Sequence, residues 1–318
     1  QNYNPAYLVE LRTTPFLILG PNKVLQYPFL HFSPIFCFFS KYTTLITITD
    51  LYIFMEPSDF PGKTIIVTGA ANGVGKAIAT RFMNGGGNVV VADIDLIQAK
   101  ETAESLNGSG TSHAIQVDVR DEESVKSMVD FTLKNCDSLD VLVNNAGIFQ
   151  KSIPSIDQSL EEWNRVMDVH VQGTYLCSKI AAIPMLEQKQ GAIVNISSNA
   201  GFAAFPYRTG YSTAKAAVNM LTKVFAIEWA SNGVRVNAIA PNFVEKDRTT
   251  DRALGTETVR TIGGGADLDS ILARTPTHRL TSLESITESV AFLASDKIPD
   301  VTGVILPVDG GWTAYGYY

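Results

Sequence analysis

The sequence predicts an α/β fold in which one doubly wound domain is built on a seven-stranded parallel sheet. From Lys63 onward, short apolar runs alternate with longer segments of helical periodicity. The runs are mostly apolar at consecutive positions, which indicates strands that are buried on both faces. Buried strands that alternate with helices are typical of a parallel sheet covered by helices on both sides.

Seven runs are predicted strands, and six segments between or after them are predicted helices. In chain order the strands are KTIIVTG, NVVVAD, HAIQVD, DVLVNN, AIVNIS, VRVNAI and GVILPVD. The recurrence of apolar residues at three- and four-residue intervals predicts helices near 74–84, 95–106, 121–135, 159–187, 211–231 and 283–294. The stretch 242–278 is polar and glycine-rich. We expect it to form a lid, because loops of that length are usually functional lids or disordered segments.

Composition limits the classes of protein to which this chain can belong. Its 318 residues, 45% of them hydrophobic, can bury a sizeable core. A net charge of -7 argues against nucleic acid as the main partner. Cys37, Cys136 and Cys177 have neither disulfide-framework nor zinc-site spacing, so we expect no metal and a reducing, cytoplasmic location.

The segment 1–54 differs from the rest, and the first methionine of the sequence is Met55. We expect 1–54 to be an atypical extension outside the functional fold, such as translated upstream sequence, and 55–318 to form the functional domain. The alternative is a targeting or anchoring segment, because Val24 to Ser40 carries no charged residue. Pro28 and Pro34 count against a membrane helix there, and we expect no membrane partner for the domain itself.

A glycine-rich loop joins the first predicted strand to the first predicted helix, and it contains Gly69, Asn72, Gly73, Val74 and Gly75. Glycines permit a tight turn and let backbone N–H groups approach a pyrophosphate at the positive end of a helix. The loop therefore predicts a dinucleotide site in a Rossmann-type domain.

Asp93 ends the second predicted strand, where a carboxylate can accept both adenosine ribose hydroxyls and would repel a 2′-phosphate. Asn72 and Val74, where a basic residue could meet that phosphate, are uncharged. We therefore expect NAD rather than NADP as the cofactor. The alternative interpretation of Asp93 is a helix-capping residue.

The spacing Gly-x3-Gly-x-Gly resembles the short-chain dehydrogenase/reductase family, and the resemblance extends from about Phe60 to Trp312. Further matching motifs are Asp118-Val119, Asn144-Asn145-Ala146-Gly147, Ser198, Tyr211-x3-Lys215 and Asp309-Gly310-Gly311. The resemblance implies that Asp118 and Val119 flank the adenine. It also implies that the cofactor is lined by Asn145, Ala146, Gly147 and Val244, and that the chemistry is carried by Ser198, Tyr211 and Lys215. Family members are often dimers or tetramers formed through their long helices, so we expect a homodimer or homotetramer.

Two tyrosine-lysine pairs have the same spacing, Tyr175 with Lys179 and Tyr211 with Lys215. A phenol donates a proton to a ketone oxygen effectively only when its anion is stabilised, as by a lysine one turn along the helix and by oxidised nicotinamide. Tyr211 has Ser198 13 residues upstream, just past a strand, whereas Tyr175 has Glu162 at that offset, inside a helix. We predict that Tyr211 is the general acid/base. Tyr175 is predicted to be a packing residue and Lys179 to be solvated.

Three positions depart from the pattern of the family. His170 stands where the family usually has Asn, Asn242 follows Pro241 in place of Gly, and Lys246 replaces a Thr that contacts the carboxamide. His170 falls on the inward face of its helix, and we predict that it orders a water beside Lys215 rather than acting as the base. The alternative is a core histidine that hydrogen-bonds nearby backbone.

These features favour an NAD-dependent oxidoreductase that interconverts a secondary alcohol and a ketone of a small molecule. One alternative is a 3-oxoacyl thioester reductase that uses NADP, and Asp93 and the acidic charge balance count against it. Another is a catalytically silent dinucleotide-binding sensor or scaffold, which would not need Ser198, Tyr211 and Lys215 together. Ser197 remains an alternative to Ser198. The pocket wall is expected to include Phe202, Phe205, Tyr207 and Phe243, although aromatics also fill ordinary cores, and the fold does not select the substrate.

Overall fold

The computed structural model describes residues 59–245 and 268–315, together with the backbone of four short strands nearer the N-terminus. The chain divides into two compact units, Gln1–Pro57 and Ser58–Tyr318. In the first unit, Leu17–Gly20 pairs antiparallel with Lys23–Gln26, and Cys37–Phe39 pairs antiparallel with Tyr42–Thr44. That residues 1–54 lie outside the functional fold stays a prediction.

The second unit contains one sheet of seven parallel strands. They are β1 (Thr64–Thr68), β2 (Asn88–Asp93), β3 (Ser112–Gln116), β4 (Val141–Asn144), β5 (Gly191–Ile196), β6 (Val234–Pro241) and β7 (Ile305–Val308). Their order across the sheet is β3-β2-β1-β4-β5-β6-β7. The predicted doubly wound, Rossmann-type sheet is therefore confirmed. The order reverses between β1 and β4, and a ligand crevice is expected at the carboxyl ends of the strands at that point.

Helices follow the strands on both sides of the sheet. They are α1 (Gly73–Asn84), α2 (Leu96–Ser105), α3 (Glu122–Cys136), α4 (Leu160–Met167), α5 (Gly173–Gln188), α6 (Thr209–Trp229), α7 (Leu268–Arg274) and α8 (Leu283–Ala294). The single helix predicted over 159–187 is wrong in one respect, because a π-helical segment, Asp168–Gln172, separates α4 from α5. The predicted lid is not all loop either, since α7 lies within 242–278.

Two hydrophobic clusters, one on each face of the sheet, form the core. All five residues of β1 and all four of β4 are buried, as consecutive apolar residues in central strands require. One cluster packs Phe82 of α1 and Ile286 of α8 against the sheet, and the other includes Met185 of α5 and Phe225 of α6. Among the helices in the described ranges, none combines the length and apolar character needed to cross a bilayer.

Candidate active site

The glycine loop lies between β1 and α1, and different structural constraints require glycine at its different positions. Gly69 and Gly73 have φ values of +63° and +55°, a region that side chains rarely adopt. A Cβ on Gly75 would lie 2.2 Å from the Gly69 carbonyl oxygen, so Gly75 permits close packing within the loop. At Gly73 a Cβ would meet nothing within 4 Å. The backbone there faces open space that a ligand can approach.

The N-terminus of α1 has no side-chain cap, unlike four other helices. Asn72 occupies the cap position, but its amide donates to Gln98 Oε1 at 2.8 Å instead of accepting from the helix, and the first turn holds no acidic residue. In α2, α3, α4 and α8, side chains at the cap position accept backbone N–H groups. Uncapped N–H groups at a helix start favour an anion. This end of α1 therefore fits the pyrophosphate of a dinucleotide.

Asp93 ends β2 and turns its carboxylate toward the glycine loop. Oδ2 accepts from the Ala71 backbone N–H at 3.0 Å, and Oδ1 accepts from the Asp95 N–H at 3.1 Å. The cap of α2 is Asp95, whose side chain accepts from two backbone N–H groups of the first turn, so the alternative interpretation of Asp93 as the helix cap is wrong. Each Asp93 oxygen retains a lone pair that can accept a further donor.

Asp118 and Val119 follow β3. The Asp118 carboxylate forms an ion pair with Arg120 Nη2 at 2.6 Å, and the Arg120 hydrogen bonds hold the pKa of that carboxyl below its usual value. This pairing was not apparent from the motif. Val119 is buried, and a Cβ on Gly173 would lie 2.7 Å from its Cγ2.

Asn145 ties the end of β4 to the glycine loop. Its side-chain amide donates to the backbone carbonyls of Thr68 and Gly69, both at 2.9 Å. The Ala146 N–H donates to the Thr68 hydroxyl at 3.1 Å. The loop between β1 and α1 is therefore positioned by the neighbouring strand, and a Cβ on Gly147 would collide with the His170 ring at 2.8 Å.

Ser198 and Tyr211 meet at the carboxyl end of β5. Ser198 caps a short 3-10 turn by accepting the Ala200 N–H at 3.1 Å. Its hydroxyl also acts to lower the pKa of the Tyr211 phenol, which lies on α6. Ser197 instead donates to Asn219 Oδ1 at 2.5 Å and is buried. Of the two candidate serines, Ser198 is the one that the structure brings to Tyr211.

Lys215 lies on the same face of α6, one turn after Tyr211. Its Nζ donates to the Ile196 carbonyl at 2.7 Å and lies 5.7 Å from the centre of the Tyr211 ring. Burial lowers the pKa of Lys215 to about 8. The sequence predicts that Lys215 and oxidised nicotinamide together lower the pKa of Tyr211. In the protein alone, burial raises that pKa and outweighs the lowering effects of Ser198 and of the charge of Arg208.

His170 lies in the π-helical segment and is 3% exposed. Its Nε2 is 3.0 Å from the Ile148 carbonyl oxygen, and its ring meets the Tyr211 ring edge-on, with centroids 5.4 Å apart. Nδ1 is buried and has no hydrogen-bond partner among the described residues. Burial, followed by the charge of Lys215, lowers the pKa of His170 to about 3. The imidazole is therefore neutral near pH 7 and cannot act there as a charged acid.

The second tyrosine-lysine pair is on the surface. Tyr175 is 42% exposed and its ring centroid lies 6.2 Å from that of Phe225. Lys179 forms an exposed ion pair with Glu122 at 2.7 Å. Neither residue of this pair is placed at the carboxyl end of a strand.

Asn242, the departure after β6, is buried and links the Ser198 turn to the end of α7. Its Oδ1 accepts from the Asn199 side chain at 2.6 Å, and its Nδ2 donates to Thr275 Oγ1 at 3.3 Å. Val244 forms a β-bridge with Thr281. Lys246, like the rest of the predicted lid up to 267, lies outside the described residues.

Aromatic side chains lie beside this region. Phe205, Phe243 and Trp312 contact one another, with ring centroids 5.9 to 6.0 Å apart. Phe202 and Tyr207, also expected in the pocket wall, are 50% and 46% exposed. Trp312 was not predicted to join this cluster, because it is far from Phe205 and Phe243 in the sequence and no sequence pattern indicates that they are in contact.

Two further residues near Tyr211 were missed by the sequence reasoning. Gln150 is fully buried, and its Oε1 accepts the Tyr211 backbone N–H at 2.6 Å. Arg208 is buried three residues before Tyr211 and donates to the Gln150 carbonyl. A basic residue just before the predicted catalytic helix was the only sequence signal for Arg208, and Gln150 gave none.

The fold and this site together define a protein of the dinucleotide-binding oxidoreductase class, and comparison with known proteins gives the family. Residues 69–313 match the family model described as enoyl-(acyl carrier protein) reductase. The cis-4-hydroxycyclohexanecarboxylate dehydrogenase of Sinomonas cyclohexanicum is 38% identical over 257 residues, which cover 80% of this chain and 98% of that protein. The 3-oxoacyl-acyl-carrier-protein reductase FabG of Staphylococcus aureus is 38% identical over 254 residues, 78% of this chain and 97% of that protein.

A solved structure with a similar fold is also described as a nicotinamide-dependent dehydrogenase. It is a putative NAD(P)-dependent gluconate 5-dehydrogenase from Beutenbergia cavernae with bound NADP at low occupancy. It superposes with a TM-score of 0.71 at 33% identity, covering 81% of this chain and 100% of that one. The chain belongs to the short-chain dehydrogenase/reductase family, whose members are oxidoreductases that act on CH–OH groups and bind a nicotinamide dinucleotide.

Proposed function

We propose that this protein is an NAD-dependent oxidoreductase that interconverts a secondary alcohol and a ketone, with Tyr211 as the general acid/base. The observation that carries the proposal is the grouping of Ser198, Tyr211 and Lys215 at the carboxyl end of β5. The Ser198 hydroxyl acts on the pKa of the Tyr211 phenol, and Lys215 lies on the same face of α6 with its Nζ bound to the Ile196 carbonyl. Ligands of open α/β sheets bind at that edge.

The proposed roles follow from the contacts of these side chains. In the oxidation direction Tyr211, as phenolate, takes the hydroxyl proton, and Ser198 holds the substrate oxygen. Lys215 supplies positive charge beside the phenol and binds ribose hydroxyls. His170, which is neutral and has an unpartnered Nδ1, orders a water that passes protons toward solvent.

The proposed cofactor is NAD, which when bound accepts the hydride from the carbinol carbon. Its pyrophosphate is assigned to the loop of Gly69, Asn72, Gly73, Val74 and Gly75. Asp93 is assigned to the adenosine ribose, because its carboxylate already faces this loop. The remaining contacts are assigned to Asp118, Val119, Asn145, Ala146, Gly147 and Val244.

The second candidate is an NADP-dependent 3-oxoacyl thioester reductase. It is favoured by the 38% identity to the reductase of Staphylococcus aureus, and the NADP-bound structure keeps that cofactor in consideration. Asp93 and the net charge of -7 argue against it, because a 2′-phosphate and an acidic carrier would both be repelled.

The test is to measure reduced-cofactor formation with NAD and NADP against secondary alcohols, polyols and hydroxyacyl thioesters. We expect turnover of an alcohol with NAD, and at least about a hundredfold loss in Tyr211→Phe, the lower range for general acid-base catalysis. Tyr175→Phe is the matched control, since Tyr175 has the same lysine spacing on an exposed helix face, and it should retain activity. Tight NAD binding without turnover of any substrate would instead favour a sensor.

The cytoplasmic location and the homodimeric or homotetrameric state stay predictions. The same holds for the absence of nucleic-acid and membrane partners.

A further inference from the structure

Arg208 is a buried cation beside the proposed acid/base, and the described contacts leave part of it without a partner. The residue is 7% exposed and precedes α6 directly. Its Nη1 donates to the Gln150 carbonyl, and its guanidinium carbon lies 4.4 Å from the centre of the Phe149 ring. Within the described residues, its Nε and Nη2 have no hydrogen-bond partner. Both nitrogens keep access to solvent, so a ligand can reach them.

Two arginines of the described chain that resemble Arg208 in position or burial, Arg165 and Arg235, have their charge or their donors satisfied. Arg165 donates to the carbonyl of Phe149, next to the one that Arg208 uses, but it also pairs with Glu162 at 2.7 Å. Arg235 is equally buried, and it donates to four backbone carbonyls. A buried cation is costly unless it is paired and hydrogen-bonded. Arg208 is therefore the arginine whose surroundings call for an added anion.

The orientation of Arg208 determines which anion suits it. Because Nη1 is bound to Gln150, the unpartnered Nε and Nη2 form the parallel two-donor edge of the guanidinium. That edge matches the two oxygens of a carboxylate in a bidentate arrangement. The Phe149 ring, which is 53% exposed, provides an apolar surface beside it. The charge of Arg208 also reaches the Tyr211 phenol, where it favours the anion and so acts to lower the pKa.

We propose that Arg208 binds a carboxylate of the substrate, so that the alcohol oxidised at Tyr211 is a compact hydroxy acid and the product is the corresponding oxo acid. The proposal rests on the proposed function, because it places the substrate hydroxyl at Tyr211 as the acid/base. The carboxylate of the same substrate then reaches Arg208. It makes Arg208 a specificity-determining residue.

The test compares 2-, 3- and 4-hydroxy acids with their carboxamides, which keep the hydroxyl and lose the charge. For the wild-type enzyme we expect kcat/KM to be at least about tenfold higher for the best acid than for its amide, as for one charged hydrogen-bonded contact. Arg208→Met should lower kcat/KM for the acid by at least that factor more than for the amide, because any effect of its charge on Tyr211 is common to both substrates. Arg165→Met is the matched control, and it should keep the preference for the acid.

Cofactor binding and thermal unfolding show whether Arg208→Met is folded. If the variant is not folded, inhibition of the wild-type enzyme tests the proposal instead. Carboxylic acids without a hydroxyl should compete with a neutral alcohol substrate, and the corresponding amides should not. Equal inhibition by acids and amides, or an acid preference that survives in folded Arg208→Met, overturns the proposal. Tighter inhibition by alkyl sulfonates or phosphate monoesters than by carboxylates overturns the carboxylate assignment. Turnover of neutral alcohols alone removes this inference and keeps the proposed function, whereas no turnover of any alcohol removes the proposed function.

Discussion

Replacement of Asp93 separates its effect on cofactor choice from its effect on the fold. In the structure its carboxylate accepts the N–H of Ala71, a residue only 2% exposed. Asp93→Ala leaves that donor unpaired, which should lower the free energy of unfolding by about 1–3 kcal/mol. Asp93→Asn keeps one acceptor oxygen and should lower it less. If Asp93 binds the ribose as proposed, both variants remove a charged hydrogen bond worth about 1.5–3 kcal/mol, so NAD should bind about 10- to 150-fold more weakly.

The assay is titration of NAD and NADP into each variant, with urea unfolding measured on the same samples. NADP should gain relative to NAD in both variants, because the carboxylate that repels a 2′-phosphate is gone. Asp95→Asn is the control: it removes the same charge two residues away, where the side chain caps α2. An unchanged ratio of the two affinities in both Asp93 variants, or an equal change in Asp95→Asn, would refute the assignment of Asp93 to the ribose.

Substitutions at four other positions test further parts of the structure. Tyr211→Phe should bind NAD normally by titration while its turnover falls at least about a hundredfold; near-normal turnover would remove the mechanism. His170→Asn should stay active and His170→Leu should turn over more slowly in steady-state assays, because only Asn can still hold a water, and a fully active Leu variant would make His170 a core residue. Asn242→Gly removes the acceptor of the buried Asn199 amide, so urea unfolding should show a free energy of unfolding lower by about 1–3 kcal/mol. Unchanged stability would contradict this contact. Ile227, 82% exposed on α6, is expected in a subunit interface formed by the long helices, so Ile227→Glu should reduce the particle mass by light scattering; a monomeric wild-type protein would contradict the expected oligomer.

The fold was predictable because its signals are local and repeated. In β1 and β4 the consecutive apolar residues are buried at every position, as strands between two helical layers require. The ends of these strands then place Gly69 beside Asn145, whose side-chain amide donates to the Gly69 carbonyl. Five of the six predicted helices have ends within two residues of the predicted ones, and the exception is 159–187.

The parts that escaped prediction depend on geometry that no local pattern records. The segment DVHVQ carries residues compatible with either an α- or a π-turn, so the π-helix around His170 could not be anticipated. The effect of burial on the pKa of Tyr211 depends on how completely the phenol is enclosed. The environment of Arg208 depends on Phe149 and Gln150, nearly sixty residues earlier in the chain.

Asn242, one of the departures from the family pattern, connects the Ser198 turn to the end of α7. Asn242 holds Asn199, Asn199 accepts from the Ser198 hydroxyl at 3.2 Å, and Asn242 also donates to Thr275 immediately after α7. A glycine at 242 has no side chain with which to form this connection. The orientation of the Ser198 hydroxyl is thus linked to the position of α7, the described helix within the predicted lid. Because the Ser198 hydroxyl also acts on the pKa of Tyr211, a movement of α7 would reach the proposed acid/base through Asn242. Asn242→Gly should therefore weaken that coupling as well as the fold.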